Sequence, residues 1–112
     1  MAINERKRND VTILDIRGKI TIGAAEEALR DAVHRVLDGG AQKVLLNLQG
    51  VTTIDSSGVG ELVSGYTSAT NRGAKIKLTS LPPKINDILT ITQLITVFDV
   101  YDTEDEAVAS FA

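Results

Sequence analysis

The chain has 112 residues, of which 43% are hydrophobic, 24% are charged and 4% are aromatic, and its formal net charge at pH 7 is −3. This length predicts a single domain, and this charge lacks the basic excess that nucleic-acid binding demands. Because the chain contains no cysteine, disulfides and thiolate chemistry are excluded. No apolar run approaches the roughly 20 residues that cross a bilayer and no signal-peptide pattern is present, so we expect a cytoplasmic protein without membrane insertion.

The N-terminal segment predicts a β-hairpin. Residues 3–17 contain two strand-like arms, the second rich in β-branched side chains, and Asn9–Asp10 supplies the turn between them. Residues 19–22 are expected to extend the second arm briefly. The basic run Arg6–Arg8 is interpreted as a solvated strand end that blocks edge pairing, in preference to a binding patch.

Residues 24–38 predict an amphipathic helix that ends at Gly39–Gly40. Glu26 and Arg30 are spaced to attract one another across one helical turn. The only histidine, His34, lies on the polar flank and is interpreted as a solvated helix residue. The apolar stripe comprises Ala25, Leu29, Ala32, Val33, Val36 and Leu37.

The stretch 43–60 is the most informative part of the chain. It begins as an apolar run that suits a buried strand, passes a predicted turn at Gln49–Gly50, and reaches Asp55–Gly58 where a helix should begin. Strand, loop and helix therefore place one carboxylate and two serine hydroxyls at a helix N-terminus. There, free backbone N–H groups and the helix dipole favour negative charge. The apolar positions of that helix are Val59, Leu62, Val63 and Tyr66.

The remainder of the chain continues the alternation of strands and helices. Residues 74–79 alternate apolar and polar side chains, as in a strand with one wetter side, and imply a right-handed parallel crossover from the preceding strand. Pro82–Pro83 marks the next helix start. The segment 90–96 fits either a helical tail or extended chain, and residues 97–101 predict a short last strand. A capping box at residues 103–106 opens a final helix.

Catalysis is not predicted from this sequence. A serine nucleophile needs a base within hydrogen-bond reach, and His34 lies in the middle of the first helix. No Cys/His cluster suggests zinc, and no glycine-rich phosphate loop opens a helix. We therefore expect a binding module with neither a catalytic residue nor a metal or cofactor of its own.

Asp55–Ser57 can be interpreted simply as a helix cap, because Asp and Ser are among the residues most favoured at that position. Two features favour a further role. One capping residue suffices, whereas this site has three polar residues in a row. The helix that follows is also rich in glycine, and each glycine costs about 0.5–1 kcal/mol relative to alanine. Glycines near its start would leave the backbone open to a close approach by another surface; they are Gly58 and Gly60, with Gly65 further on.

The run Val44-Leu-Leu-Asn-Leu, followed by Ile54-Asp-Ser-Ser-Gly-Val-Gly60, resembles the signature of the STAS domain, the module of anti-sigma factor antagonists. The resemblance extends to residues 16–20, 71–75 and 81–85 and thus covers nearly the whole chain. It implies an α/β fold in which a small mixed β-sheet of about four to five strands packs with about four helices. Residues 1–112 would form a single STAS domain.

The resemblance also implies a function. In that family the unphosphorylated antagonist binds an anti-sigma factor that is a serine kinase, and this binding frees the sigma factor. The kinase phosphorylates the first serine after the aspartate, here Ser56, which breaks the complex, and a serine phosphatase reverses the modification. ATP and Mg²⁺ would belong to the partner kinase, so no cofactor is expected in this chain.

Two positions depart from the family pattern. Thr21 occupies a place that often carries an acidic residue, and Glu61, expected on the early outer face of its helix, stands where an apolar residue is common. Two other functions remain open: a non-enzymatic scaffold subunit of a signalling assembly, and an accessory subunit of a lipid or ligand transport complex. Around Ser56, the residues expected to bind the partner are Thr21, Asp55, Ser57, Gly58, Val59, Glu61 and Leu62.

Overall fold

Strands and helices alternate along most of the chain, because apolar runs bounded by turn residues are followed by segments with apolar positions every three to four residues. A computed structural model describes all residues, 1–112. The elements are β1 (Ala2–Arg8), β2 (Val11–Ile20), α1 (Ala24–Asp38), β3 (Lys43–Ile54), α2 (Ser56–Asn71), β4 (Lys75–Thr79), α3 (Pro83–Ile91), a 3-10 turn (Leu94–Thr96), β5 (Val100–Tyr101) and α4 (Glu104–Ser110). The strand order is β1-β2-β3-β4-β5, with β1 antiparallel to β2 and the other pairs parallel. Five strands in a mixed sheet and four α-helices confirm the predicted fold class.

The sheet is covered on both faces. Successive side chains of a strand point to opposite faces, so Leu14 and Leu46 join the larger hydrophobic core with α1, α2 and α3. Their neighbours Ile13 and Leu45 join a smaller core on the other face, where α4 contributes Ala107, Val108 and Phe111. Parallel crossovers explain why the first three helices share one face. This arrangement places the start of α2 at the end of the central strand β3.

The predicted turn at Gln49–Gly50 is wrong, because β3 runs without interruption to Ile54. Gly50 pairs with Arg17 of β2 across a register shift. A Cβ atom at Gly50 would lie 2.5 Å from Cγ of Arg17, so the glycine permits a close side-chain approach and does not turn the chain.

The predicted wetter side of β4 is also wrong, because α4 covers it. Lys77 and Thr79 are buried, at 6% and 0% exposure. The Nζ of Lys77 donates hydrogen bonds to the carbonyl and Oγ of Ser110, at 3.1 and 2.9 Å, and lies 4.6 Å from the ring centroid of Phe111. The lysine thus fastens the C-terminal end of α4 to the sheet.

Two residues of the basic run, Arg6 and Arg8, form an ion-pair network, which corrects their interpretation as a solvated strand end, whereas Lys7 is exposed and makes no ion pair. Arg6 bonds Asp15 with its Nε at 2.6 Å and also pairs with Glu104. Arg8 pairs with Glu104 at 3.0 Å and with Asp105 at 2.6 Å. The edge strand β1 is therefore connected to the first turn of α4.

The ambiguous segment 90–96 contains both the end of α3 at Ile91 and the 3-10 turn Leu94–Thr96. The last strand is shorter than predicted, since β5 comprises only Val100–Tyr101. It pairs with the end of β4 and forms one edge of the sheet.

Candidate functional site

Asp55 caps helix α2. Its backbone is extended (φ −103°, ψ −176°), and its Oδ1 accepts a hydrogen bond from the N–H of Gly58 at 2.9 Å. Its carbonyl accepts the first helical bond, from Val59 N at 3.0 Å. The carboxylate therefore satisfies the N-terminal amide that a cap must satisfy, and neither serine is needed for this purpose.

The same carboxylate holds the loop between β2 and α1. Oδ2 of Asp55 accepts a hydrogen bond from the N–H of Ile22 at 2.9 Å, and the Asp55 N–H donates to the carbonyl of Ile20 at 3.3 Å. The N–H groups of Gly58 and Ile22 hold the pKa of Asp55 below its ordinary value, because both bonds favour the ionised form. The site thus carries a fixed negative charge at neutral pH.

Ser56 and Ser57 occupy the first two helical positions of α2. Ser56 is exposed and Ser57 is half-buried, and neither hydroxyl makes a hydrogen bond within the chain. The first turn of α2 carries no acidic residue. This helix start therefore combines an accessible hydroxyl with backbone N–H groups that favour an added anion.

The glycines of α2 have different functions. Gly58 is buried, and a Cβ atom there would lie 2.3 Å from the carbonyl oxygen of Ile20. Gly60 is exposed, and a Cβ atom there would meet no atom within 4 Å. Gly58 is therefore required for packing within the chain, and Gly60 is the glycine that leaves open backbone at the surface.

Two predicted partner-binding residues are not on the surface. Leu62 is 1% exposed and belongs to the larger core, so the prediction that it contacts a partner is wrong. Glu61 is 8% exposed, not on an outer face as expected, and its Oε1 accepts hydrogen bonds from Nε and Nη2 of Arg30 at 2.9 and 2.6 Å. Arg30 also pairs with Glu26 at 3.1 Å, the helical pair expected from the sequence. Glu61 therefore joins α2 to α1.

The remaining predicted residues surround Ser56 and are partly accessible. Thr21 and Val59 are half-buried, as is Asp55. Thr21 lies in the loop that Asp55 holds, and its carbonyl accepts the N–H of Glu26 at 3.1 Å.

Ile22 is a surface feature that sequence reasoning missed. The expected strand extension over residues 19–22 stops at Ile20, and Ile22 lies in the following turn with 73% of its surface exposed. A signal was present in the sequence: Gly23 follows directly, and it adopts φ +100°, a conformation that favours glycine.

The Ser56 corner lies outside the main surface concavities. Four surface concavities, from about 350 to 610 Å³, include no residue from 55 to 60 in their walls. No group of three or more His, Asp and Glu side chains is placed to hold a metal ion. None of the helices combines the length and the apolar character that crossing a bilayer requires. An exposed site outside these concavities suits recognition by another macromolecule better than capture of a small molecule.

Fold and site together define a STAS-type α/β binding domain. Residues 2–107 match the family model for the STAS domain, and the chain therefore belongs to the STAS domain family. Proteins named as anti-sigma factor antagonists are among its relatives, and this family consists in general of binding modules and not of enzymes.

Three proteins illustrate the relationship. Over 98 residues the chain is 32% identical to a candidate anti-sigma factor antagonist of Thermotoga neapolitana, covering 88% of this chain and 87% of that one. The crystal structure of a candidate antagonist from Thermotoga maritima superposes with a TM-score of 0.89 at 28% identity, covering 96% and 92% of the two chains. The antagonist SpoIIAA shares the fold at 18% identity: its unphosphorylated form gives a TM-score of 0.74, covering 97% and 92%, and its phosphorylated form, from Bacillus, gives 0.75, covering 99% and 100%.

Proposed function

We propose that this protein is an anti-sigma factor antagonist that binds an anti-sigma serine kinase when unphosphorylated and is released when Ser56 is phosphorylated. One observation carries the proposal: Ser56 is exposed and unbonded at the first position of α2, because Asp55 already caps the helix. A serine phosphatase resets the switch. ATP and Mg²⁺ belong to the kinase, and the exchange takes place in the cytoplasm, where ATP is available.

The proposed chemical step is phosphoryl transfer. Oγ of Ser56 attacks the γ-phosphorus of ATP, the hydroxyl proton passes to a base of the kinase, and ADP leaves. The product carries about −1.5 to −2 additional charge at neutral pH. That charge lies next to the ionised Asp55, so the combined negative charge repels any acidic group that the partner brings to the corner.

The proposed contact surface consists of the accessible residues around Ser56. Thr21, Asp55, Ser57 and Val59 touch the partner directly. Gly58 supports this surface indirectly, because the absence of a side chain lets α2 lie against the carbonyl of Ile20.

We expect the phosphate to leave this domain folded. A helix N-terminus stabilises an added anion by about 0.3–1 kcal/mol, which offsets repulsion from Asp55. The fold likeness to SpoIIAA supports this expectation, since its unphosphorylated and phosphorylated forms match this chain with TM-scores of 0.74 and 0.75. Unfolding by urea should therefore give a free energy within about 1 kcal/mol for the phosphorylated and unmodified proteins. A large loss of stability would contradict the proposed local effect of the phosphate.

The decisive experiment incubates the protein with its cognate anti-sigma kinase and ATP·Mg²⁺ and maps phosphate by mass spectrometry. We expect one phosphate on Ser56, none in Ser56→Ala, and normal labelling in Ser64→Ala, which removes an exposed serine further along α2. Ser56→Asp should weaken binding to the kinase, whereas Ser64→Asp should not. Absence of phosphate on Ser56 together with unchanged binding by Ser56→Asp would refute the proposal.

A further inference from the structure

Ile22 is an exposed apolar side chain at the functional corner. Four large hydrophobic residues are exposed, and among them only Ile22 bonds to a residue of the Asp55–Ser57 segment; the four are Met1 (43%), Ile22 (73%), Ile91 (80%) and Val97 (41%). A single exposed apolar side chain is common on protein surfaces, and what distinguishes Ile22 is that its amide bonds Asp55 beside the candidate interface.

The backbone of Ile22 is fixed from three sides. Its N–H donates to Oδ2 of Asp55 at 2.9 Å, and the preceding carbonyl, of Thr21, accepts from Glu26 N at 3.1 Å. Gly23 follows with φ +100°, which directs the chain into α1. A partner that binds Ile22 therefore loses little free energy in ordering this loop, because the loop is already ordered.

The charges near Ile22 indicate the chemistry of the complementary surface. Asp55 is ionised, and Glu27 in the first turn of α1 is exposed and makes no ion pair. Glu26 shares the single positive charge of Arg30 with Glu61. An apolar side chain bordered by unpaired carboxylates fits an apolar pocket with lysine or arginine at its rim.

We propose that Ile22 is the apolar anchor with which this protein docks onto its anti-sigma partner, and that the partner receives it in an apolar pocket with a basic rim. This inference rests on the proposed function, since the partner is the anti-sigma kinase of that proposal. Asp55 links the two features of the corner: it precedes Ser56 in the chain and holds the amide of Ile22. The anchor and the modifiable hydroxyl therefore reach the partner as one rigid surface.

The chain offers a matched control. Ile91 at the end of α3 is the same residue type with a similar exposure, 80% against 73%, but has no bond to the Ser56 corner. Binding of unmodified wild type, Ile22→Ala and Ile91→Ala to the cognate kinase would be measured by calorimetry. Ile22→Ala should weaken binding by about tenfold or more, as expected of a buried interface anchor, and Ile91→Ala by less than about twofold. Ile22→Leu should restore most of the affinity.

Phosphorylation kinetics provide an independent readout. Ile22→Ala should raise the KM for phosphorylation of Ser56 and leave kcat unchanged, because the anchor contributes to docking and not to transfer. Tight binding by Ile22→Ala, or an equal loss in Ile22→Ala and Ile91→Ala, would overturn the anchor while leaving the proposed function standing. Failure of the wild type to bind or accept phosphate would instead refute the proposed function itself.

Discussion

Helices α2 and α4 begin with the same capping device in different electrostatic surroundings. Asp55 accepts the N–H of Gly58 at 2.9 Å, and Thr103 accepts the N–H of Glu106 at 3.2 Å. The first turn of α4 carries three carboxylates, from residues 104–106, and arginines of β1 pair with two of them. The first turn of α2 carries none.

The difference shows how one type of helix start serves two purposes. Each N-terminus favours negative charge. At α4 this preference is met permanently by side chains of the chain itself, and the resulting ion pairs join the helix to β1. At α2 only the capping carboxylate of Asp55 meets this preference, and the first turn itself carries no acidic side chain beside the exposed hydroxyl of Ser56, so charge can be added and removed there. The start of α4 is structural, whereas the start of α2 is suited to a switch.

The largest expected effect on stability comes from adding a side chain at Gly58, where α2 packs closely against the end of β2. A Cβ atom at Gly58 would lie 2.3 Å from the carbonyl oxygen of Ile20 and 2.6 Å from Cγ1 of Ile54. Gly58→Ala should therefore destabilise the protein by about 3 kcal/mol, at the upper end of typical overpacking effects. Gly60→Ala meets open space and should stabilise the helix by about 0.5–1 kcal/mol. Urea denaturation of both variants tests the contrast, and equal effects of the two substitutions would contradict the tight seating of α2.

An intermediate effect is expected when the two caps are altered. Asp55→Asn keeps only one side-chain acceptor, so it cannot satisfy the amides of both Gly58 and Ile22. Hydrogen exchange at Ile22 N should become faster and binding to the kinase weaker. Thr103→Ala should lose about 1 kcal/mol of unfolding free energy and leave both of these readouts unchanged. If Asp55→Asn protects the Ile22 amide as well as wild type does, Asp55 does not hold this loop.

The smallest expected effect is a pH dependence of the unfolding free energy that arises at the start of α4. The guanidinium groups of Arg6 and then Arg8 hold the pKa of Glu104 below its ordinary value. A carboxylate whose pKa is lower in the folded state contributes stability at neutral pH, and that contribution disappears as the pH falls from about 4.5 through the folded-state pKa. Glu104→Gln should reduce the unfolding free energy at pH 7 by less than about 1 kcal/mol, since the pairs are partly exposed. Below pH 4.5 the unfolding free energy of this variant should decrease less steeply than that of wild type. If the unfolding free energy of Glu104→Gln decreases in acid as steeply as that of wild type, the decrease is due to other carboxylates, such as Asp55.

The elements that the sequence predicted well are those specified by local patterns. Residues 24–38 show helical spacing and end in glycines, and α1 has these bounds. The placement of Asp55–Ser57 at a helix start likewise followed from an apolar run that meets polar residues. In both cases the responsible residues are near neighbours in the chain.

The features that escaped prediction depend on partners distant in sequence. Glu61 is buried because Arg30 of another helix bonds it, and Lys77 is buried because Ser110 accepts its hydrogen bonds. Gln49–Gly50 carries a turn signal, but pairing with β2 keeps it extended. Periodicity detects none of these relations, since it registers only spacing along one element.

Lys77 gives α4 two ends with different chemistry. At the N-terminal end the helix is held by carboxylates, which acid neutralises, whereas at the C-terminal end it is held by an ammonium group that bonds Ser110 and lies against the ring of Phe111. Acid weakens the ion pairs at the N-terminal end and leaves the contacts at the C-terminal end intact. Under acidic stress this helix should therefore fray from Thr103 toward Phe111, so that its last turn remains docked on the sheet when its first turn has already opened.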